Sequence, residues 1–486
     1  MSDVSDIVFR NATVVDGTGS PPVAADVLVV QDRISAVGEH LDTTVGSVVI
    51  DATGLVLAPG FIDVHTHDDA AVLVDPDLGC KTLQGVTSVV VGNCGMSLFP
   101  EAGLIPGMPT FGRADDYLAR LADQPSAVNV ATLVGHGTVR TAVMGLQTNR
   151  QPDRAERTAM ADLVSEALAD GAIGMSSGLA YEPGRYAAPG ELIELAKLLV
   201  DSGAIYTTHM RDEADGLLAS VDESIMVAEE AGVPLQISHL KAAGRENWGT
   251  VNDALDRIDN ARQRGIDVMA DQYPYTRGST LLEQVISAGA FVGPSPFGHL
   301  RPEDVLVAAA PVPDWSGKTI AAIAAEAGVS GQEMADRMVT EAGRDCFVVL
   351  DTMSEDDVQT VMAHPAVMTG SDGIPIGDKP HPRLHHTYPR LLGHYCRQLG
   401  VLDLSDAIHR MTAMPATRFG FKDRGVVTPG AFADLVLLNP QTITDTGTYA
   451  DPTNVPTGIE GVWVNGVRVI EAGTPTGDHP GQPIRH

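Results

Sequence analysis

Short apolar runs that end on a metal-binding or charged side chain recur along this chain, and helical stretches separate many of them. Gly60-Phe61-Ile62-Asp63-Val64 ends at His65-Thr66-His67, and Val89-Val90-Val91 leads through Gly92-Asn93 to Cys94. Ala204-Ile205-Tyr206-Thr207-Thr208 ends at His209, Pro234-Leu235-Gln236-Ile237-Ser238 at His239, and Val367-Met368-Thr369-Gly370-Ser371 at Asp372. Strands alternating with helices are the pattern of βαβ units. Candidate strands at 55–64, 86–92, 128–135, 171–176, 204–209, 234–239, 266–271 and 366–371 make eight. Helical spacing is read at 153–170, where Ala155, Ala159, Leu163, Ala167 and Leu168 form the apolar stripe, and at 191–202, 217–231, 251–264, 390–399 and 405–414. The expected fold is therefore α/β, a TIM-like (β/α)8 barrel. The strand C-termini of such a barrel share one mouth, where its chemistry sits.

The two ends of the chain read differently. Residues 6–10, 26–30, 33–37 and 48–51 are short strand patterns between Gly, Pro and Asp turns, and residues 433–438 and 462–470 have the same character. They predict a small β-sandwich built from both termini: residues 1–58 and 421–486 around a barrel at 59–420. The interval 277–365 is too long for one βα loop and carries helical patterns of its own, as at 317–324 and 332–338, so an insertion after strand seven is a candidate lid. The Gly- and Pro-rich tail from Gly473 to His486 reads as a surface segment.

With 486 residues the chain is long enough for this arrangement, and its formal net charge of −31 argues against nucleic acid or an anionic membrane as partner. No apolar run approaches a membrane span. Met1-Ser2-Asp3-Val4-Ser5-Asp6 lacks the basic and apolar regions of a secretory leader. Cys80, Cys94, Cys346 and Cys396 have no paired spacing, which suits a reducing cytoplasm. A small-molecule substrate is the expected partner, and a homo-oligomer is compatible with the sequence.

His65 and His67 stand at i and i+2, so on an extended strand both rings point one way and can share an ion. Cys94 lies in a turn rather than a core, and a thiolate is a soft ligand suited to Zn2+. A lone cysteine is otherwise a small buried hydrophobe, the reading kept for the other three. His209 and His239 end neighbouring strands. Asp372 can touch metal and accept a proton from the attacking water, the general-base role of a hydrolase.

The strand Pro59-Gly60-Phe61-Ile62-Asp63 before His65 and His67, and Ser371-Asp372, resemble the amidohydrolase superfamily. Gly92-Asn93-Cys94-Gly95, residues 174–181, Thr208-His209-Met210-Arg211, Ser238-His239-Leu240-Lys241, Gln272-Tyr273-Pro274-Tyr275 and His381-Pro382-Arg383 are similar to the N-acyl-D-amino-acid deacylases, or D-aminoacylases. That resemblance implies zinc-dependent hydrolysis of the amide of an N-acyl-D-amino acid. It implies a tight zinc on Cys94, His209 and His239, a weaker second site on His65, His67 and Asp372, and Asp372 as the group that activates water and then protonates the leaving amine. Many binuclear amidohydrolases bridge their metals with a carboxylated lysine at the end of strand four. Residues 171–178 contain no lysine, so Cys94 would replace that bridge, and a cyclic-amide hydrolase of the hydantoinase or dihydroorotase kind is the less favoured alternative.

An α-carboxylate on the substrate calls for a cation. Arg383 and Tyr275 are the first candidates, and Lys241 and Tyr181 the next. Arg277 and His386 depart from the small residues that the resemblance leads one to expect and, with Ser279, mark the specificity region. Arg277 is expected either to read an acidic substrate side chain or to pair with Glu283.

Overall fold

The computed structural model describes residues 6–42, 46–103, 107–146 and 148–486. Of Met1–Asp6, where no secretory leader is expected, residues 1–5 lie outside them.

Eight parallel strands form the expected barrel. Phe61–Asp63, Val86–Val91 and Asn129–Thr132 pair in order. Val134–Gly135, Gly174–Gly178, Ile205–His209, Leu235–Ile237, Val268–Gln272 and Val367–Thr369 continue the succession. The third strand bends at Leu133 and serves both groups: Leu133 N–H donates to Val91 O at 2.9 Å, and Ile173 N–H to Thr132 O at 2.9 Å. The last strand closes on the first through a Thr66–Gly373 bridge and an Asp372 N–H donation to His65 O at 2.7 Å.

The single strand expected at 55–64 is two. Val56–Pro59 belongs to the terminal sheet and Phe61–Asp63 to the barrel. Gly60 marks the break, because a Cβ there would stand 2.2 Å from the Thr87 side chain. Helices pack outside the strands. Arg154–Ala169 begins at Asp153, whose carboxylate and that of Glu156 cap one another's backbone N–H. It buries Met160, Val164 and Ala167 rather than the stripe through Ala155, Ala159 and Leu163. Both sets have helical spacing, and the larger Met and Val side chains remove more apolar area from water.

The two termini share one nine-stranded sheet, in which Ile7–Val14 and Val56–Pro59 connect the N-terminal strands to Leu435–Leu438, Ile459–Val464 and Val467–Glu471. The run expected at 462–470 is a hairpin turning at Asn465-Gly466. The sheet curls back on itself. Phe9 and Trp463 lie three strands apart in the ladder, about 14 Å if flat, yet their rings pack edge to face at 4.8 Å. The tail from Gly473 does more than cross the surface. Gly481 N–H donates to Ser126 O at 2.8 Å, Val130 N–H to Gln482 O at 3.0 Å and Ile484 N–H to Val130 O at 2.8 Å, which ties the tail along the start of the third barrel strand. Composition suggested a surface segment there, but the N-terminal end of that strand offered unpaired backbone groups that needed partners.

The insertion holds a three-stranded antiparallel sheet, Phe347–Asp351 between Arg277–Leu281 and Val305–Ala309, with a separate apolar core. It ends earlier than expected. Helix Glu355–Ala363 places Val358, Val361 and Met362 in the barrel's main core, so it is the barrel's own helix before strand eight.

Candidate metal centre

The six side chains singled out in the sequence converge at the barrel mouth. Cys94 Sγ lies 3.3 Å from His65 Nε2, 3.7 Å from His209 Nδ1 and 3.7 Å from His239 Nε2. Asp372 Oδ1 is 3.5 Å from His65 Nε2 and 3.3 Å from His67 Nε2. Among the described residues three groupings are compact enough for an ion: His65 with Cys94 and His239, His65 with His67 and Asp372, and His209 with Glu213 and His239; the expected set of Cys94, His209 and His239 is not one of them, although Cys94 Sγ lies 3.7 Å from both imidazoles. All of these side chains are buried except that of His67, which is 15% exposed.

The backbone is unusual at three of the six. Cys94, His239 and Asp372 have φ of 54°, 37° and 48°, a region that non-glycine residues seldom enter and that recurs at functional sites. Gly178 makes room for the cysteine, since a Cβ at that position would stand 2.0 Å from Cys94 O.

Two of the rings are oriented from behind. Asp271 Oδ1 lies 3.2 Å from His65 Nδ1, which leaves Nε2 facing the cluster. Glu213 Oε1 lies 2.9 Å from His239 Nδ1 and takes a 2.6 Å hydrogen bond from Lys241 Nζ. Such carboxylate–imidazole pairs fix the tautomer of a metal-binding histidine. His209 Nε2 is buried with no hydrogen-bond partner, 3.8 Å from Glu213 Oε2. Burial pushes the Cys94 thiol up, but the charge on His65 and hydrogen bonds with His209 and His239 outweigh it and hold the group well below its ordinary range. Burial lowers His67, but its hydrogen bond with Asp372 prevails and pushes it up to about 9. The Asp372 carboxyl is raised by burial and lowered more by the Arg383 guanidinium beside it, so it stays well below the usual carboxylate range. A soft thiolate, imidazoles with one nitrogen held away and a buried carboxylate match the donor set of zinc.

Two cavities adjoin the cluster. The larger, about 290 Å³, is lined by His67, Cys94, Asp372 and Tyr181 and roofed by Ser279, Thr280, Leu281 and Phe347 of the insertion. The smaller, about 30 Å³, is lined by His239, Lys241, Tyr273, Ser279, Tyr181 and Asp372. Arg383 is fully buried beside them. Its Nη2 donates to Asp372 Oδ2 at 2.9 Å, its guanidinium lies 4.3 Å above the Tyr273 ring, and its Nε and Nη1 have no partners.

Three expected side chains stand elsewhere. Tyr275 lines neither cavity; its ring packs 5.1 Å from His381 and under the Arg390 guanidinium at 4.8 Å. Arg277 pairs with Asp351 at 3.0 Å and stacks on Tyr449 at 4.5 Å, while Glu283 pairs with Arg344. His386 is buried against Gly447, where an added Cβ would stand 2.2 Å from its ring. Sequence reasoning missed Tyr273, whose buried hydroxyl has no partner, and the orienting acids Asp271 and Glu213. An acid near the end of an otherwise apolar strand was the available signal for Asp271.

The model of the amidohydrolase family matches residues 48–279 and 256–470. A D-aminoacylase of Alcaligenes xylosoxydans xylosoxydans is 41% identical, covering 99% of this chain and 97% of that protein. An N-acyl-D-glutamate deacylase of the same organism is 38% identical over 100% of this chain and 97% of its own. Among solved structures, the N-acyl-D-glutamate deacylase of Bordetella bronchiseptica, complexed with zinc and a phosphonate inhibitor that mimics the tetrahedral intermediate, superposes with a TM-score of 0.91 at 38% identity, over 99% of this chain and 100% of that one. The chain belongs to the amidohydrolase family, in its N-acyl-D-amino-acid deacylase branch. Cyclic-amide hydrolases are distant: the dihydropyrimidinase of Brevibacillus agri, at 16% identity and a TM-score of 0.63 over 99% of this chain and 98% of its own, shares the fold.

Proposed function

We propose that this protein is a zinc-dependent hydrolase of N-acyl-D-amino acids, releasing a carboxylate and a free D-amino acid. The observation that carries the reading is the buried convergence of Cys94, His65, His67, His209, His239 and Asp372 beside a cavity at the barrel mouth. Cys94, His209 and His239 would hold the tight zinc, with His65, His67 and Asp372 as a weaker second site. When bound, zinc polarises the scissile carbonyl and makes water a stronger acid.

The remaining work falls to the protein. Asp372, kept ionised by Arg383, accepts a proton from the attacking water at Oδ1 and returns it to the leaving nitrogen. Lys241 and Tyr273 line the position for the α-carboxylate, and Arg383, which lines neither cavity, packs behind it on Tyr273 and Asp372 with Nε and Nη1 free to donate. Tyr181 supports the same position: its hydroxyl accepts from Thr280 Oγ1 at 3.3 Å, and its ring lies 4.5 Å from His209. Ser279, Thr280 and Leu281 make the insertion a lid over this pocket. The module expected at 1–58 and 421–486, which contributes the terminal sheet, acts as a small sandwich that braces the barrel at 59–420. Among the described residues no helix is long and apolar enough to cross a membrane, and four free cysteines suit the cytoplasm.

Incubation of the zinc-loaded protein with N-acetyl-D- and N-acetyl-L-amino acids tests the reading. Release of free amine from D substrates alone is expected. Turnover confined to L substrates or cyclic amides would refute it.

A further inference from the structure

The deacylase reading leaves the amino-acid side chain open, and the larger cavity bears on that choice. Its walls are mostly apolar. Met96 and Leu98 come from the loop after the second strand, Leu281 and Phe347 from the insertion, and Ile374 and Ile376 from the loop after the eighth strand. Leu281 and Phe347 are register partners in the insertion's sheet, so their side chains form one continuous surface.

The charges around the same space are predominantly negative. Glu182 and Asp345 line it together with Asp372. Arg344 is the one Lys or Arg lining it among the described residues, and its Nε donates to Glu283 Oε2 at 3.2 Å. Arg277, the residue that could have read an acidic substrate, is held away by Asp351 and Tyr449. A second carboxylate entering this cavity would lose its water for apolar walls and face other acids, both of which disfavour the charged form. An alkyl, thioether or aromatic chain gains by being buried there.

We infer that this protein selects N-acyl-D-amino acids with large apolar side chains over the D-glutamate and D-aspartate derivatives, with Leu281 and Phe347 as selecting residues. The inference rests on the deacylase reading, and a substrate panel separates the two. Measure kcat/KM for N-acetyl-D-methionine, N-acetyl-D-phenylalanine, N-acetyl-D-alanine and N-acetyl-D-glutamate with the wild-type protein and with Phe347→Ala. For the wild type, the glutamate derivative should fall on the order of 100-fold below the methionine one. Phe347→Ala should lower the methionine and phenylalanine values about 10-fold and leave alanine nearly unchanged. Glutamate processed as well as methionine would overturn the selectivity and keep the deacylase, whereas no turnover of any of the four would overturn both. An equal loss on methionine, phenylalanine and alanine in the variant would remove Phe347 as a selecting residue.

Discussion

At the scale of single residues, Asp372 combines three demands. It holds a positive φ of 48°, takes Arg383 on one oxygen and faces His65 and His67 with the other. Asn is among the few residues that adopt such a backbone readily, so Asp372→Asn should keep the fold and the tight zinc. An amide cannot accept a proton from water, and kcat should fall on the order of 10²–10⁴-fold at matched zinc content. Turnover near wild type would remove Asp372 from proton transfer. The six clustered side chains were legible in the sequence because each closes an apolar run, which places it at the barrel mouth whatever the exact register. The choice between Tyr273 and Tyr275 was not legible: both follow strand seven, and only the turn at Pro274 directs Tyr273 to the cavity and Tyr275 to His381.

Elements show where periodicity stops being informative. Sequence spacing predicts a helix at 390–399, but helix Arg383–Arg390 starts earlier and continues as a π-helix through Leu391–Gln398. Pro382 and Pro389 disguise its beginning: the first serves as N-cap, and the second sits inside the helix. The helix buries His386, and burial, opposed by the Asp445 carboxylate and the backbone of Pro452 and Asn454, lowers that imidazole to about 4. In the folded protein it is neutral above that pH, whereas in the unfolded chain it protonates below about 6.5. The full stability is present above pH 6.5, and His386 removes up to about 3 kcal/mol as pH falls from 6.5 to 4. His386→Asn should therefore flatten the loss of thermal stability across that window in a melting series. An unchanged pH slope would show that His386 titrates normally in the fold.

For the whole molecule, the eight-stranded barrel was readable because parallel strands buried on both faces appear as unbroken apolar runs. The connection between modules was not. A curled terminal sheet, a tail hydrogen-bonded along strand three and a barrel helix after the insertion all depend on pairings between residues far apart in the chain, which local spacing does not encode. Those pairings set the frame that gathers six side chains from five strand ends into one buried cluster, and the central claim is that this cluster binds zinc through Cys94. The direct measurement is metal content after chelator treatment, zinc reloading and desalting, compared between the wild type and Cys94→Ala, with circular dichroism to establish folding. The wild type should retain zinc, and the folded variant should lose most of it, because the remaining imidazoles lack the thiolate that completes the tight site. Zinc retained at the wild-type level in folded Cys94→Ala would contradict the account.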